Sequence, residues 1–183
     1  MDTRTLVRIA LIAALIAALG FVPPLYMPLA AGVPITAQSL GVMLAGLLLG
    51  ARAGAAAVAL FVFVVLLGAP LLAGGRGGLG ILAGPTAGFL IGYIAGAYVV
   101  GLLAERLKLP AFASAFVACV VGGIGVVYLF GIPVLAAAAG IGLSKAVIGA
   151  AVFLPGDLIK AVGASVLVTT VLRNWSVAAQ PRP

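Results

Sequence analysis

Charge is scarce and widely spaced in this chain, and that spacing limits its fold more than any other feature. No Lys, Arg, Asp or Glu stands between Arg8 and Arg52, between Arg52 and Arg76, between Arg76 and Glu105, or between Lys108 and Lys145. Hydrophobic residues make up 65% of the 183 positions, against roughly 45–50% in a soluble domain, and charged residues 7% against about 25%. Ten basic and three acidic side chains are too few to coat a water-soluble globule. With a mean hydropathy of +1.40, the sequence reads as an all-α integral membrane protein forming one domain over residues 1–183.

The missing side chains narrow the chemistry. There is no His, which removes an imidazole base and a His-ligated metal. Cys119 is the single cysteine and reads as a packed small hydrophobe. The acids are Asp2, Glu105 and Asp157. Aspartyl proteolysis in a membrane needs two carboxylates sharing a site, and only Asp157 falls in an expected span. The chain is therefore read as not an enzyme, with no cofactor and no metal. A net charge of +7 could suggest nucleic acid, but single basic residues between apolar stretches fit membrane topology better. A pure scaffold is the other alternative, and it leaves the polar groups inside the spans unexplained.

A membrane helix needs about 20 mainly apolar residues. Six are expected, at roughly 6–22, 37–50, 53–67, 86–103, 111–130 and 157–172. The stretch 135–151 is apolar but carries Lys145, and reads either as a short helix over one end of the bundle or as an early start to the sixth span. If six helices alternate, Arg4, Arg8, Arg52, Arg106, Lys108, Arg173 and Arg182 share one side, and only Arg76 and Lys145 the other. That bias predicts a multi-pass protein of the cytoplasmic membrane with both termini cytoplasmic. Trp175 and Tyr26 stand just past span ends, where interfacial aromatics belong. Arg4 and Arg8 ahead of an apolar run also resemble a signal peptide, but no soluble domain follows, so the segment is read as a retained span. The tail 174–183 is expected to be disordered.

The second, fourth and sixth spans each open with proline and a short polar residue: Pro34-Ile35-Thr36, Gly84-Pro85-Thr86 and Pro155-Gly156-Asp157. Proline suits a first helical turn, and Thr or Asp is suited to capping the free N–H groups there. Three such N-termini on the outer face would ring a cup with partial positive charge, suited to a carboxylate-bearing solute. Asp157 and Lys160, three apart, share a helix face. Ionisable groups in a span cost about 2.5–3.5 kcal/mol on insertion scales, so the pair is expected inside the bundle, at the polar spot of an apolar pocket near the outer surface. The run Gly74-Gly75-Arg76-Gly77-Gly78-Leu79-Gly80 lacks a P-loop ending. It reads as a loop that folds over the cup, with Arg76 able to meet a carboxylate, or as a plain flexible turn. Ala10, Ala14 and Ala18 form a small-residue face on the first helix, suited either to a partner or to packing within the bundle.

These motifs, in this order and spacing, resemble the BioY family, the biotin-specific substrate-capture (S) components of energy-coupling-factor (ECF) transporters. The resemblance rests on Val33-Pro34-Ile35-Thr36-Ala37-Gln38-Ser39-Leu40-Gly41, Leu44-Ala45-Gly46-Leu47-Leu48-Leu49-Gly50, the glycine loop, Gly84-Pro85-Thr86-Ala87-Gly88-Phe89-Leu90-Ile91-Gly92-Tyr93 and Pro155-Gly156-Asp157-Leu158-Ile159-Lys160. It implies a bundle of six transmembrane helices, biotin as the transported ligand, a transmembrane T component and two cytoplasmic ATPase subunits. It places Asp157 and Lys160 in the pocket, with the glycine loop and Gly84-Pro85-Thr86 beside them, and the Ala10, Ala14 and Ala18 face on the T component. Thr36, Gln38, Gly84, Thr86 and Tyr93 in the matched segments join Asp157, Lys160 and Arg76 as candidate substrate-binding residues. A polar amide found in some members' glycine loops is absent here, where Gly75-Arg76 stands. Another vitamin or small carboxylate is the rival ligand.

Overall fold

The computed structural model describes residues 2–26 and 33–178, with side chains to Val171. All its regular elements are helical. Helix α1 spans Thr3–Leu19, and the Asp2 carboxylate accepts the Thr5 N–H at 2.8 Å to cap it. It buries Ile9, Ala13 and Ile16 and leaves Ala10, Ala14 and Ala18 on its exposed side. Side chains such as Leu11 (63% exposed) and Ile159 (73%) point outward, which suits lipid and not water.

Helix α2, Gln38–Leu66, is two limbs joined at Gly50, whose φ of 77° and ψ of −178° are open in practice to glycine alone. A Cβ on Gly54 would stand 2.6 Å from the Ala45 carbonyl oxygen. In a straight helix those two residues would be about 13 Å apart along the axis, so the limbs 38–49 and 51–66 fold back on each other. Glu105 Oε1 accepts the Ala51 N–H at 3.1 Å, satisfying a free donor at the start of the second limb. The two short spans expected at 37–50 and 53–67 are thus this hairpin.

Helix α3 runs Ala87–Arg106. Its Gly92 and Gly96 lie against the backbone of the next helix, where Cβ atoms would come within 2.9 Å of the Val127 oxygen and 2.8 Å of the Gly122 oxygen. Small residues at four-residue spacing permit that approach. The partner is one uninterrupted helix, Ala111–Ala139, made of α4 (Ala111–Ala118), a π-helical stretch (Cys119–Val126) and α5 (Val127–Ala139). It therefore runs nine residues beyond the expected end at 130. Gly140, with φ 64°, stops it in the left-handed conformation. Cys119 is buried among apolar neighbours.

Helix α6, Leu143–Ala151, is a separate short element, and α7, Leu154–Ala178, follows it after two residues. The 135–151 stretch is thus divided between α5 and α6 and is no early start to the last span. Pro155 and Gly156 lie inside the first turn of α7, so the chain breaks at 152–153 instead. The α7 backbone stays helical through 174–178, where a disordered tail was expected; residues 179–183, with Arg182, lie outside the described residues. So do the side chains of Arg173 and Trp175. Among the described residues, four helices are long and apolar enough to cross a bilayer: Gln38–Leu66, Ala87–Arg106, Ala111–Ala139 and Leu154–Val171. One apolar cluster joins α1, the α2 hairpin and α3, and a second joins α2 and α3 to the helix 111–139 and α7.

Candidate functional site

A cavity opens at the end of the bundle where α2, α3 and α7 begin, closed on one side by α5 and on another by the glycine loop. Asp157, in the first turn of α7, is buried there at 7% exposure. Its Oδ1 takes the Lys160 ammonium at 2.8 Å and the Ser39 hydroxyl at 3.1 Å, while Lys160 Nζ also donates to Ser39 Oγ at 2.9 Å. On the other oxygen, the Tyr128 hydroxyl donates to Oδ2 at 2.8 Å. A buried carboxylate needs such compensation, and here it has a counter-charge and two hydroxyl donors. Among the described residues, one lone pair on Oδ2 and one ammonium proton of Lys160 have no partner.

Aromatic rings form the wall behind this cluster. Phe89, Tyr128 and Phe153 meet edge to face, with centroids 6.1–6.5 Å apart, a geometry that adds about 0.5–1.5 kcal/mol per pair beyond burial. Val33, Ile35, Leu90 and Val127 complete an apolar lining. In the glycine loop, Leu72 and Arg76 exchange backbone hydrogen bonds of 3.0 and 3.2 Å, with Gly74 and Gly75 at φ 80° and 70° making the turn. The Arg76 guanidinium donates to the Ala73 carbonyl and to Thr86 Oγ1, both at 3.2 Å. Among the described residues, three of its five N–H donors have no protein acceptor.

Asp157, Lys160, Arg76, Thr36, Gln38, Thr86 and Tyr93 all line this cavity. Gly84 does not line it; its N–H donates to the Ile81 carbonyl at 3.1 Å and closes the short 3-10 helix Leu79–Ala83. The expected side-chain caps are not formed. The N-cap position of α2 falls on Ala37 and not on the expected Thr36, and no side chain caps it; Thr86 before α3 makes no capping hydrogen bond and spends its oxygen on Arg76. Gln38 faces the cavity, yet both amide protons go to backbone carbonyls, Ile16 at 3.2 Å and Leu71 at 3.0 Å. Its Oε1 accepts the Ala73 N–H at 3.1 Å. Ala10, Ala14 and Ala18 are not among the cavity residues.

Sequence reasoning passed over Ser39 and Tyr128. Both carried a signal: Ser39 follows Gln38 in the segment Val33–Gly41, and Tyr128 bears the one hydroxyl besides Ser114 in the apolar run 111–139.

Membrane-length helices that enclose a buried polar cluster at one end of the bundle define an integral membrane protein. The chain belongs to the BioY family, whose model matches residues 1–177. It is 53% identical over 184 aligned positions to the biotin transporter BioY of Rhizobium etli, covering 96% of each chain. The biotin transporter BioY of Rhodobacter capsulatus is 48% identical, over 92% of this chain and 93% of that one. A crystal structure of the S component for biotin from an ECF-type ABC transporter superposes with a TM-score of 0.86 at 31% identity, covering 94% of this chain and 95% of that chain.

Proposed function

We propose that this chain captures biotin at the outer face of the cytoplasmic membrane and serves as the S component of an ECF-type transporter. The observation that carries the reading is the Asp157–Lys160–Ser39–Tyr128 cluster in a cavity that also presents apolar and aromatic side chains and Arg76. Biotin presents ureido N–H donors, a ureido carbonyl, an apolar thiophane ring and a valerate carboxylate. The open lone pair of Asp157 suits a ureido N–H, and the third Lys160 proton suits a ligand oxygen. Phe89, Phe153 and the aliphatic lining suit the ring. The spare guanidinium donors of Arg76 suit the carboxylate.

Six crossings fit the chain: α1, the two limbs of α2, α3, the helix 111–139 and α7, with α6 lying across one end. The Gly50 turn and the α3–α4 connection border a common second cavity, at the opposite end from Asp157. Arg52, Arg106 and Lys108 cluster by that end and Arg76 by the other, which supports cytoplasmic termini. Exposure of Ala10, Ala14 and Ala18 on α1 supports a docking face for a transmembrane T component, which would bring the cytoplasmic ATPases.

The test is uptake of labelled biotin by cells lacking their own biotin uptake and synthesis, expressing this chain with a T component and ATPase pair. Saturable uptake suppressed by unlabelled biotin, but not by other vitamins in excess, is the expected result. Suppression by a different vitamin carboxylate would reassign the ligand.

A further inference from the structure

Gln38 makes three hydrogen bonds, and all of them run to backbone that is distant in sequence. Ile16 lies in the last turn of α1, where carbonyls lack helical partners. The Gly20 N–H that would ordinarily serve Ile16 goes to the Ala17 oxygen at 2.9 Å, so the Gln38 amide takes its place. Leu71 and Ala73 belong to the approach to the glycine loop. Ala73 is fully buried, and its two backbone groups face two different partners. Its N–H is held by Gln38 Oε1, and its carbonyl holds Arg76 Nε. Gly20 adds an independent contact at the same junction: a Cβ there would collide with the Leu71 oxygen and reach 3.0 Å from Gln38 Nε2.

We infer that Gln38 is a positioning residue: its amide fastens the Leu71–Ala73 segment to the end of α1, and Ala73 in turn holds the Arg76 guanidinium over the cavity. Gln38 has no amide proton left for a ligand, so its influence on binding passes through Arg76. Loss of the amide frees the loop, and the bound ligand leaves faster. The inference rests on the biotin reading for its kinetic arm and on the ligand-free fold for its proteolytic arm.

The experiment compares the wild-type chain, Gln38→Met, Arg76→Ala and the double variant, purified in lipid nanodiscs. Labelled biotin should dissociate about tenfold faster from Gln38→Met, the scale of one lost hydrogen bond network contact. In the Arg76→Ala background the same change should alter the rate less than about twofold, because coupled residues are non-additive. Without biotin, trypsin should cut after Arg76 faster in Gln38→Met than in the wild type. Gly20→Ala, which strains the junction from the α1 side, should repeat both results and serves if Gln38→Met does not fold. A full tenfold effect that persists in Arg76→Ala would overturn the inference, as would unchanged dissociation and unchanged cleavage. Absence of biotin binding by the wild type would instead sink the biotin reading, and the cleavage rates would still decide the role of Gln38.

Discussion

Tyr128 and Asp157 stand 29 positions apart on different helices, and the tyrosine hydroxyl donates to the carboxylate at 2.8 Å. Tyr128 reaches that position directly after the π-helical stretch Cys119–Val126. A π turn holds more residues than an α turn, and each residue turns an α-helix by about 100°. The stretch therefore sets which face of α5 looks into the cavity. Its Gly123 lines the same cavity.

Tyr128→Phe keeps the ring in its edge-to-face contacts with Phe89 and Phe153 and removes only the hydroxyl. A hydrogen bond to a charged group contributes about 1.5–3 kcal/mol, shared here between folding and ligand binding. The variant should melt at a lower temperature and bind biotin less tightly, but lose less affinity than Asp157→Asn does. Thermal unfolding and equilibrium binding on the same preparation check this; equal losses would mean that Tyr128 itself touches the ligand.

Lys160→Met leaves the Asp157 carboxylate buried beside two hydroxyl groups with no counter-charge. Breaking a buried ion pair from one side costs about 3–5 kcal/mol, whereas removing both charges costs far less. Lys160→Met should therefore unfold well below the wild type, and Asp157→Asn combined with Lys160→Met should recover most of the difference. Unfolding temperatures of the three proteins decide it.

Gly50→Ala tests the hairpin. At φ 77° and ψ −178° a side chain costs about 1–3 kcal/mol in backbone strain, and the new Cβ would also meet Glu105 Oε1. The variant should be less stable and yield less folded protein, while biotin affinity of the folded fraction holds, because the turn lies at the far end from Asp157. A change of affinity in that fraction would mean that the two ends of the bundle are coupled.

The exposed alanine face on α1 makes its own prediction. Ala14→Trp should leave biotin affinity within about twofold, since Ala14 is outside the cavity and removes no packed neighbour, and should cut uptake sharply in cells that supply the partner subunits. Binding measured on purified protein and uptake measured in cells separate the two effects. Uptake at the wild-type rate would place docking elsewhere.

The ion pair was legible because charge inside an apolar helix is conspicuous, and three-residue spacing sets both groups on one face. The membrane class and the break between the second and third spans were legible for the same reason: Arg52 and the small residues around it interrupt apolar runs. Ser39 and Tyr128 were less so: each offers a hydroxyl in an apolar stretch, but their shared partner lies 118 and 29 positions away. The bonding of Gln38 was hidden for a related reason. A polar residue beside a pocket motif looks like a ligand group, but its partners are backbone atoms 22, 33 and 35 positions distant. Thr86 was expected to cap α3 by local rules, and a long-range guanidinium took its oxygen instead.

The most direct test of the whole account is equilibrium binding of labelled biotin to the purified chain and to Asp157→Asn. The substitution keeps the shape of the side chain and removes the charged acceptor at the centre of the cluster. The wild type should bind biotin saturably, and Asp157→Asn should bind it about 10- to 100-fold more weakly while remaining a folded bundle, the range that a charge-assisted hydrogen bond of about 1.5–3 kcal/mol sets. Equal affinity in the two proteins, or no saturable biotin binding by the wild type, would contradict the account.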